Sequence, residues 1–220
     1  MSNLISKPTK AYLERAAIPS VKLNKAQKQQ QLLILDLNGT LVSRNRKNRS
    51  MYVRPYSKQF FEYIFENFYV MLWSSAQPHS VRNMCRLFGA NQEKIKVIWD
   101  RTKFGLTQKD YNRKVATIKD LDKVWKYFDE QHPEQHFDQT NTILLDDSPK
   151  KAQLQPYNCV HPSEFEHTSP TFISSGDSEL LHIMNYLKLL QFQSNVSNFI
   201  REQPYNTLEN DKSNNEKLWI

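Results

Sequence analysis

Residues 33–42 read Leu-Ile-Leu-Asp-Leu-Asn-Gly-Thr-Leu-Val: an apolar run meets an aspartate at position 36 and then a turn signal. A short continuous apolar run bounded by a turn suits a strand covered on both faces, as in a parallel sheet, and such a sheet presents Asp36 at its carboxyl edge. Two residues on, Asn38 places an amide where a carboxylate would be a natural proton donor and acceptor beside Asp36.

The rest of the chain supports that reading. Residues 56–68 carry Phe60, Phe61, Ile64, Phe65 and Phe68 at helical spacing, and residues 69–73 form a second apolar run ending in Ser74-Ser75. Residues 78–88 predict a helix stopped by Gly89, residues 96–99 a strand, and residues 119–128 a helix with Leu121, Val124, Trp125 and Phe128 on one side. After a polar linker at 129–139, residues 142–145 predict the strand that delivers Asp146-Asp147, and residues 177–200 close the fold with one or two helices. Alternating strands and helices predict an α/β, doubly wound parallel sheet with helices on both faces and sites outside the carboxyl ends of its strands.

Length and composition set bounds. At 220 residues the chain suits one well-cored domain with tails. No run approaches the ~20 apolar residues that span a bilayer, so a soluble protein is expected. Thirty Lys+Arg against 23 Asp+Glu give a formal charge of +7, which favours acidic partners without choosing among nucleic acid, phosphoprotein and anionic lipid. Two cysteines, Cys85 and Cys159, are too few for a disulfide framework, and reduced thiols in an intracellular compartment are the economical reading.

Residues 1–29 read as a basic, flexible arm: Lys7, Lys10, Arg15, Lys22, Lys25 and Lys28 face the single acid Glu14, with interruptions at Pro8 and Pro19. A mitochondrial transit peptide stays open as the alternative. The domain is placed at 30–202 and a polar tail at 203–220.

A phosphoryl group beside carboxylates needs its charge neutralised by Mg²⁺ on hard oxygens and by a lysine. Asp36, the residue-38 carbonyl, Asp147 and Lys119 are candidates for those parts. With them in view, Asp36-Leu37-Asn38-Gly39-Thr40 resembles the first signature of the haloacid dehalogenase superfamily. More narrowly, the chain resembles the FCP/SCP homology domain of the RNA polymerase II C-terminal-domain phosphatases and Dullard-like enzymes. The resemblance rests on Tyr52-Val53-Arg54-Pro55, Leu72-Trp73-Ser74-Ser75, Ile118-Lys119-Asp120-Leu121 and Leu144-Leu145-Asp146-Asp147-Ser148-Pro149, in order across residues 31–200.

The resemblance implies a phosphoserine or phosphothreonine protein phosphatase with a short flap after the first strand. It makes Asp36 the nucleophile and Thr40 a support for the turn, with Ser74, Lys119, Asn38 and Gly39 around the phosphate. Mg²⁺ would be held by Asp36, the Asn38 carbonyl and Asp147, with Asp146 as ligand or support. Asn38 is the departure, because the family's aspartate there protonates the leaving oxygen and activates the hydrolytic water. A slow phosphatase is therefore expected, with a catalytically defective scaffold as the alternative, and Arg54 is expected to be structural. Asn38-Gly39 is also a dipeptide prone to deamidation, which would restore an aspartate.

Arg44, Arg46, Lys47 and Arg49 follow the turn and suit an acidic peptide or nucleic-acid phosphates, or equally a solvated hairpin. His79, His132, His136, His161, His167 and His182 show no zinc spacing. Nuclear or cytoplasmic placement is favoured, with mitochondria left open.

Overall fold

Four successive leucine and isoleucine side chains place β1 (Leu32–Leu35) at the centre of the molecule, every one of them fully buried. A computed structural model describes residues 7–45 and 50–206. Along the chain, α1 (Lys10–Ala16) precedes β1, and a hairpin of β2 (Val42–Arg44) and β3 (Met51–Val53) follows it. Then come α2 (Ser57–Asn67), β4 (Tyr69–Trp73), α3 (Pro78–Met84), β5 (Val97–Trp99), α4 (Gln108–Tyr111), α5 (Leu121–Gln131) and β6 (Thr142–Leu145). The chain continues through β7 (Cys159–Val160), α6 (Pro170–Ser175), α7 (Glu179–Leu190) and α8 (Val196–Glu202).

The main sheet is parallel throughout, in the order β5-β4-β1-β6-β7. Strand pleating sends alternate residues to opposite faces. Leu33 and Leu35 join Val70, Leu72, Ile143 and Leu145 beneath α2, α3, α7 and α8. Leu32 and Ile34 join Met71, Trp73 and Leu144 beneath α5. On α2, Phe60, Phe61 and Ile64 form one buried face, each contributing on the order of 1.5–3 kcal/mol by leaving water.

Three expectations need correction. The helix expected over 78–88 ends at Met84, and 3₁₀ turns broken at Gly89 carry residues Cys85–Lys94. The helix expected from 119 begins at Leu121, because the Asp120 side chain caps it by accepting from the Asp122 N–H; Lys119 therefore lies on the loop before it.

The N-terminal segment is not a flexible arm over its described length. Tyr12 and Ala16 of α1 are buried. The Tyr12 hydroxyl donates to Asn158 Oδ1 at 3.0 Å and accepts from the Tyr157 N–H at 2.9 Å. Asn198 donates to the Ala16 carbonyl at 3.0 Å, and Leu23 N–H donates to the Phe192 carbonyl at 2.7 Å. Beyond α8, Tyr205 donates to Glu179 Oε1 at 2.8 Å. The remaining tail and residues 46–49, including three of the four cations of the basic run, lie outside the described residues.

Candidate active site

From β1 the chain builds outward through β4 to β5, then crosses back to lay β6 on the other side of β1. That reversal makes the β1/β6 crevice the place where a parallel sheet opens a ligand site. Leu35 pairs with Leu145, so Asp36 and Asp146 are the next residues beyond the last pair, and the Asp36 N–H donates to the Leu145 carbonyl at 2.9 Å.

A tight turn follows Asp36. Leu41 and Val42 N–H groups both donate to the Leu37 carbonyl, at 2.8 and 3.0 Å. Gly39 adopts φ +89°, and a Cβ there would meet Asp147 Oδ2 at 3.0 Å, so glycine serves both the backbone and the close approach. The Thr40 hydroxyl donates to Asp147 Oδ1 at 2.9 Å and accepts from the Asp147 N–H at 3.2 Å, locking this turn to the loop after β6. Arg54 Nη1 donates to the Thr40 carbonyl at 3.0 Å and the Phe165 N–H to the Gly39 carbonyl at 2.7 Å. Within this buried turn Asn38 alone is exposed.

Lys119 is completely buried, with Nζ 3.0 Å from Asp36 Oδ1 and 2.6 Å from Asp146 Oδ2. Lys151 Nζ lies 3.0 Å from both Asp36 Oδ2 and Asp146 Oδ1. Two ammonium groups thus alternate with two carboxylates. Burial opposes the charge of Asp146, but Lys119 and Lys151 overcome it and lower its pKa. Burial also opposes the charge of Lys151, and Asp36, Asp146 and Asp147 outweigh it to raise its pKa. Asp147 is raised, chiefly by burial and with Asp36 and Asp146 adding repulsion.

Carboxylate oxygens of Asp36, Asp146 and Asp147 lie within 4.8 Å of one another. Among the described residues no other group of three or more histidines, cysteines or acids is so placed, and this one contains no histidine. The set offers only hard oxygens, and Gly39 leaves room for the Asp147 carboxylate that Thr40 fixes, which fits Mg²⁺.

Asp36, Thr40, Lys119, Asp146 and Asp147 are therefore brought together. Ser74 is buried at the neighbouring strand end, two residues beyond the Leu35–Leu72 pair, where its Oγ accepts from the Ala76 N–H at 3.3 Å. Sequence reasoning missed Lys151. The signal was Pro149 after Asp146-Asp147-Ser148: a proline opens the 3₁₀ turn Pro149–Ala152, which folds Lys151 back over the aspartates.

The flap is tied down by Ser43 Oγ, 2.8 Å from His167 Nδ1, and by Tyr52 stacked on His167 with ring centroids 3.6 Å apart. Between the flap and α3 lies a cavity of about 490 Å³ lined by residues that include Arg44, Asn45, His79, Ser80 and Asn83, with no carboxylate among the described lining residues.

Sheet order, the tight turn after β1 and the paired aspartates define an α/β protein with an acidic site at the carboxyl edge of a parallel sheet. The model of the NLI interacting factor-like phosphatases matches residues 31–199, and the chain belongs to that family. It is 37% identical over 225 residues to the FCP1 homology domain-containing protein C1271.03c of Schizosaccharomyces pombe, covering 96% of this chain and 90% of that one. It is 24% identical over 163 residues to the ubiquitin-like domain-containing CTD phosphatase 1 of Drosophila melanogaster, covering 71% of this chain and 48% of that one. Among solved structures, fission yeast RNA polymerase II CTD phosphatase Fcp1-R271A bound to beryllium fluoride aligns with a TM-score of 0.47 and 11% identity, over 73% of this chain and 50% of that one. Among the described residues no helix is long and apolar enough to cross a membrane.

Proposed function

We propose that the protein is a Mg²⁺-dependent phosphatase of phosphoserine or phosphothreonine proteins that works through an aspartyl-phosphate on Asp36 and is slowed by Asn38. The observation that supports this most directly is Asp36 at the sheet's switch point, gripped by Lys119 and Lys151 and within reach of Asp147.

An Asp36 carboxylate oxygen attacks phosphorus, forming an acyl-phosphate bond as the ester P–O bond breaks. Lys119 orients Asp36 and Asp146 and offsets their charge. Asp36, the Asn38 carbonyl and Asp147 would hold Mg²⁺, which would supply positive charge opposite the transferring group. Thr40 positions Asp147, and Ser74 lies at the strand end that borders the phosphate. The leaving alkoxide then needs a proton and the incoming water a base. An amide at 38 supplies neither, a loss worth roughly 10²–10⁴ in rate. Both half-reactions suffer, so a good leaving group loads Asp36 faster than water unloads it.

A carboxylate-free cavity beside the flap, with Arg44 and His79 in its wall, suits the acidic surroundings of a phosphorylated peptide. The alternative function is a scaffold that binds an acidic partner without turning it over. Asn38 is the observation in its favour.

The test pairs wild type with Asn38→Asp and Asp36→Asn on an aryl phosphate and a phosphoserine peptide. Phosphate release that rises at least ~10²-fold in Asn38→Asp and vanishes in Asp36→Asn supports the enzyme. Inert Asn38→Asp protein that still binds Mg²⁺ favours the scaffold.

A further inference from the structure

We propose that Lys151, and not the deeply buried Lys119, is the lysine that grips the phosphate, and that it lets this site hold a tetrahedral oxyanion without a divalent ion. The inference deepens the reading of the Asp36 site and rests on it only for the location of the anion.

The two lysines have different reach. Lys119 is enclosed, with no side-chain exposure, and its ammonium lies against Asp36 and Asp146. Lys151 stands on the turn after the paired aspartates, where its carbonyl accepts from the Lys119 N–H at 2.8 Å, and 19% of its side chain remains exposed. An ammonium carries three N–H donors. Lys151 gives two of them, to Asp36 Oδ2 and Asp146 Oδ1. A third is left for a ligand that approaches Asp36 from the open side, where a phosphoryl group must sit for in-line attack.

Charge balance points the same way. Asp36, Asp146 and Asp147 oppose Lys119 and Lys151, three negative charges against two positive. An aspartate at 38 would add a fourth negative charge, and one lysine alone would leave it under-compensated. The amide at 38 together with the second lysine makes the site less hostile to an anion, so a metal would have less repulsion to offset. Asp36 Oδ2 is also engaged by this ammonium, so Lys151 and a divalent ion compete for the same carboxylates.

The experiment titrates inorganic phosphate into the full-length protein in EDTA, and again in saturating Mg²⁺, by calorimetry or ³¹P NMR. It compares wild type, Lys151→Met and Lys151→Arg. Wild type is expected to bind phosphate in EDTA, and Lys151→Met to bind it roughly 10- to 100-fold more weakly, the range for a lost hydrogen bond to a charged group. Lys151→Arg should recover most of the difference. Mg²⁺ should bind Lys151→Met more tightly than wild type and narrow the gap in phosphate affinity. Lys151→Gln, which keeps a donor for both carboxylates, replaces Lys151→Met should that variant not fold.

Wild type that fails to bind phosphate in EDTA, or a neutral variant that binds it as wild type does, overturns the proposal. Wild type that binds phosphate in EDTA, loses that binding in Lys151→Met and never releases phosphate from an ester sinks the phosphatase reading and leaves Lys151 in its role. Steady turnover with unchanged phosphate affinity does the reverse.

Discussion

Arg54 and Asp177 form a two-pronged ion pair behind the turn that follows β1, with Nε donating to Oδ1 at 3.0 Å and Nη2 to Oδ2 at 2.9 Å. Arg54 also donates to the carbonyls of Thr40 and Ser163, each at 3.0 Å, and its side chain has no solvent exposure. Removing it leaves Asp177 with only the Glu179 N–H, which donates to Oδ1 at 3.0 Å, and takes the guanidinium donor from two carbonyls. Arg54→Ala is expected to cost roughly 3–5 kcal/mol, the scale of a broken buried pair, measured by urea unfolding. Unchanged stability would show that water replaces the guanidinium at no cost.

Gly39→Ala should damage both stability and metal binding. The new methyl meets Asp147 Oδ2 at 3.0 Å on a backbone with φ +89°. A loss of roughly 1–3 kcal/mol is expected from the strained backbone alone, with weaker Mg²⁺ binding by calorimetry. Weakened metal binding in a fully stable variant would assign the whole effect to Asp147.

Asn38 should remain an amide in the folded protein despite the glycine that follows it. Deamidation needs the Gly39 nitrogen to attack the Asn38 side chain, and that N–H donates to the Val42 carbonyl at 2.8 Å in a closed turn. Intact mass and peptide mapping after prolonged incubation should show no one-dalton gain at 38 in native protein and a clear gain after denaturation. Equal rates in both states would mean the turn opens freely, and spontaneous conversion to aspartate would return as a route to activity.

Burial pushes the Cys85 thiol up to about 11 from its ordinary 9.0. The folded state therefore favours the neutral thiol. That contribution to stability is complete below pH 9 and is lost as pH rises through 11. At pH 7.5 an aromatic disulfide reagent should label Cys85 and Cys159 only on unfolding, since both are buried. Rapid labelling of native protein would contradict this packing.

Because α1 packs against residues 157–198, the folding unit is expected to begin before residue 30. Tyr12→Phe removes the hydroxyl shared by Asn158 and the Tyr157 N–H and should cost roughly 1–3 kcal/mol. Deleting residues 1–18 should cost more, seen as a lower melting temperature. A truncated protein as stable as the full chain would return this segment to the status of an arm.

How much of this was legible in the sequence depended on the kind of force involved. β4 at 69–73 and β6 at 142–145 match the expected runs because a strand covered on both faces must be apolar throughout. Asp36, Asp146 and Asp147 could be placed because strand ends in a parallel sheet converge. β7 escaped notice because two residues, Cys159–Val160, carry no readable period. α1 escaped because it buries only Tyr12 and Ala16, and much of its docking is side-chain amides of Asn195 and Asn198 reaching its carbonyls. Lys151 escaped because a lysine next to another lysine reads as solvated surface until the turn that redirects it is known.

The outward-facing side chain at 38 stands apart from everything that keeps its turn in shape. Leu37, Gly39 and Thr40 are sealed into the interior, while Asn38 points away from it. Exchanging an acid for an amide at so exposed a position is expected to leave stability unchanged, so under the proposed mechanism descent silences or revives such a protein through one substitution that folding does not police.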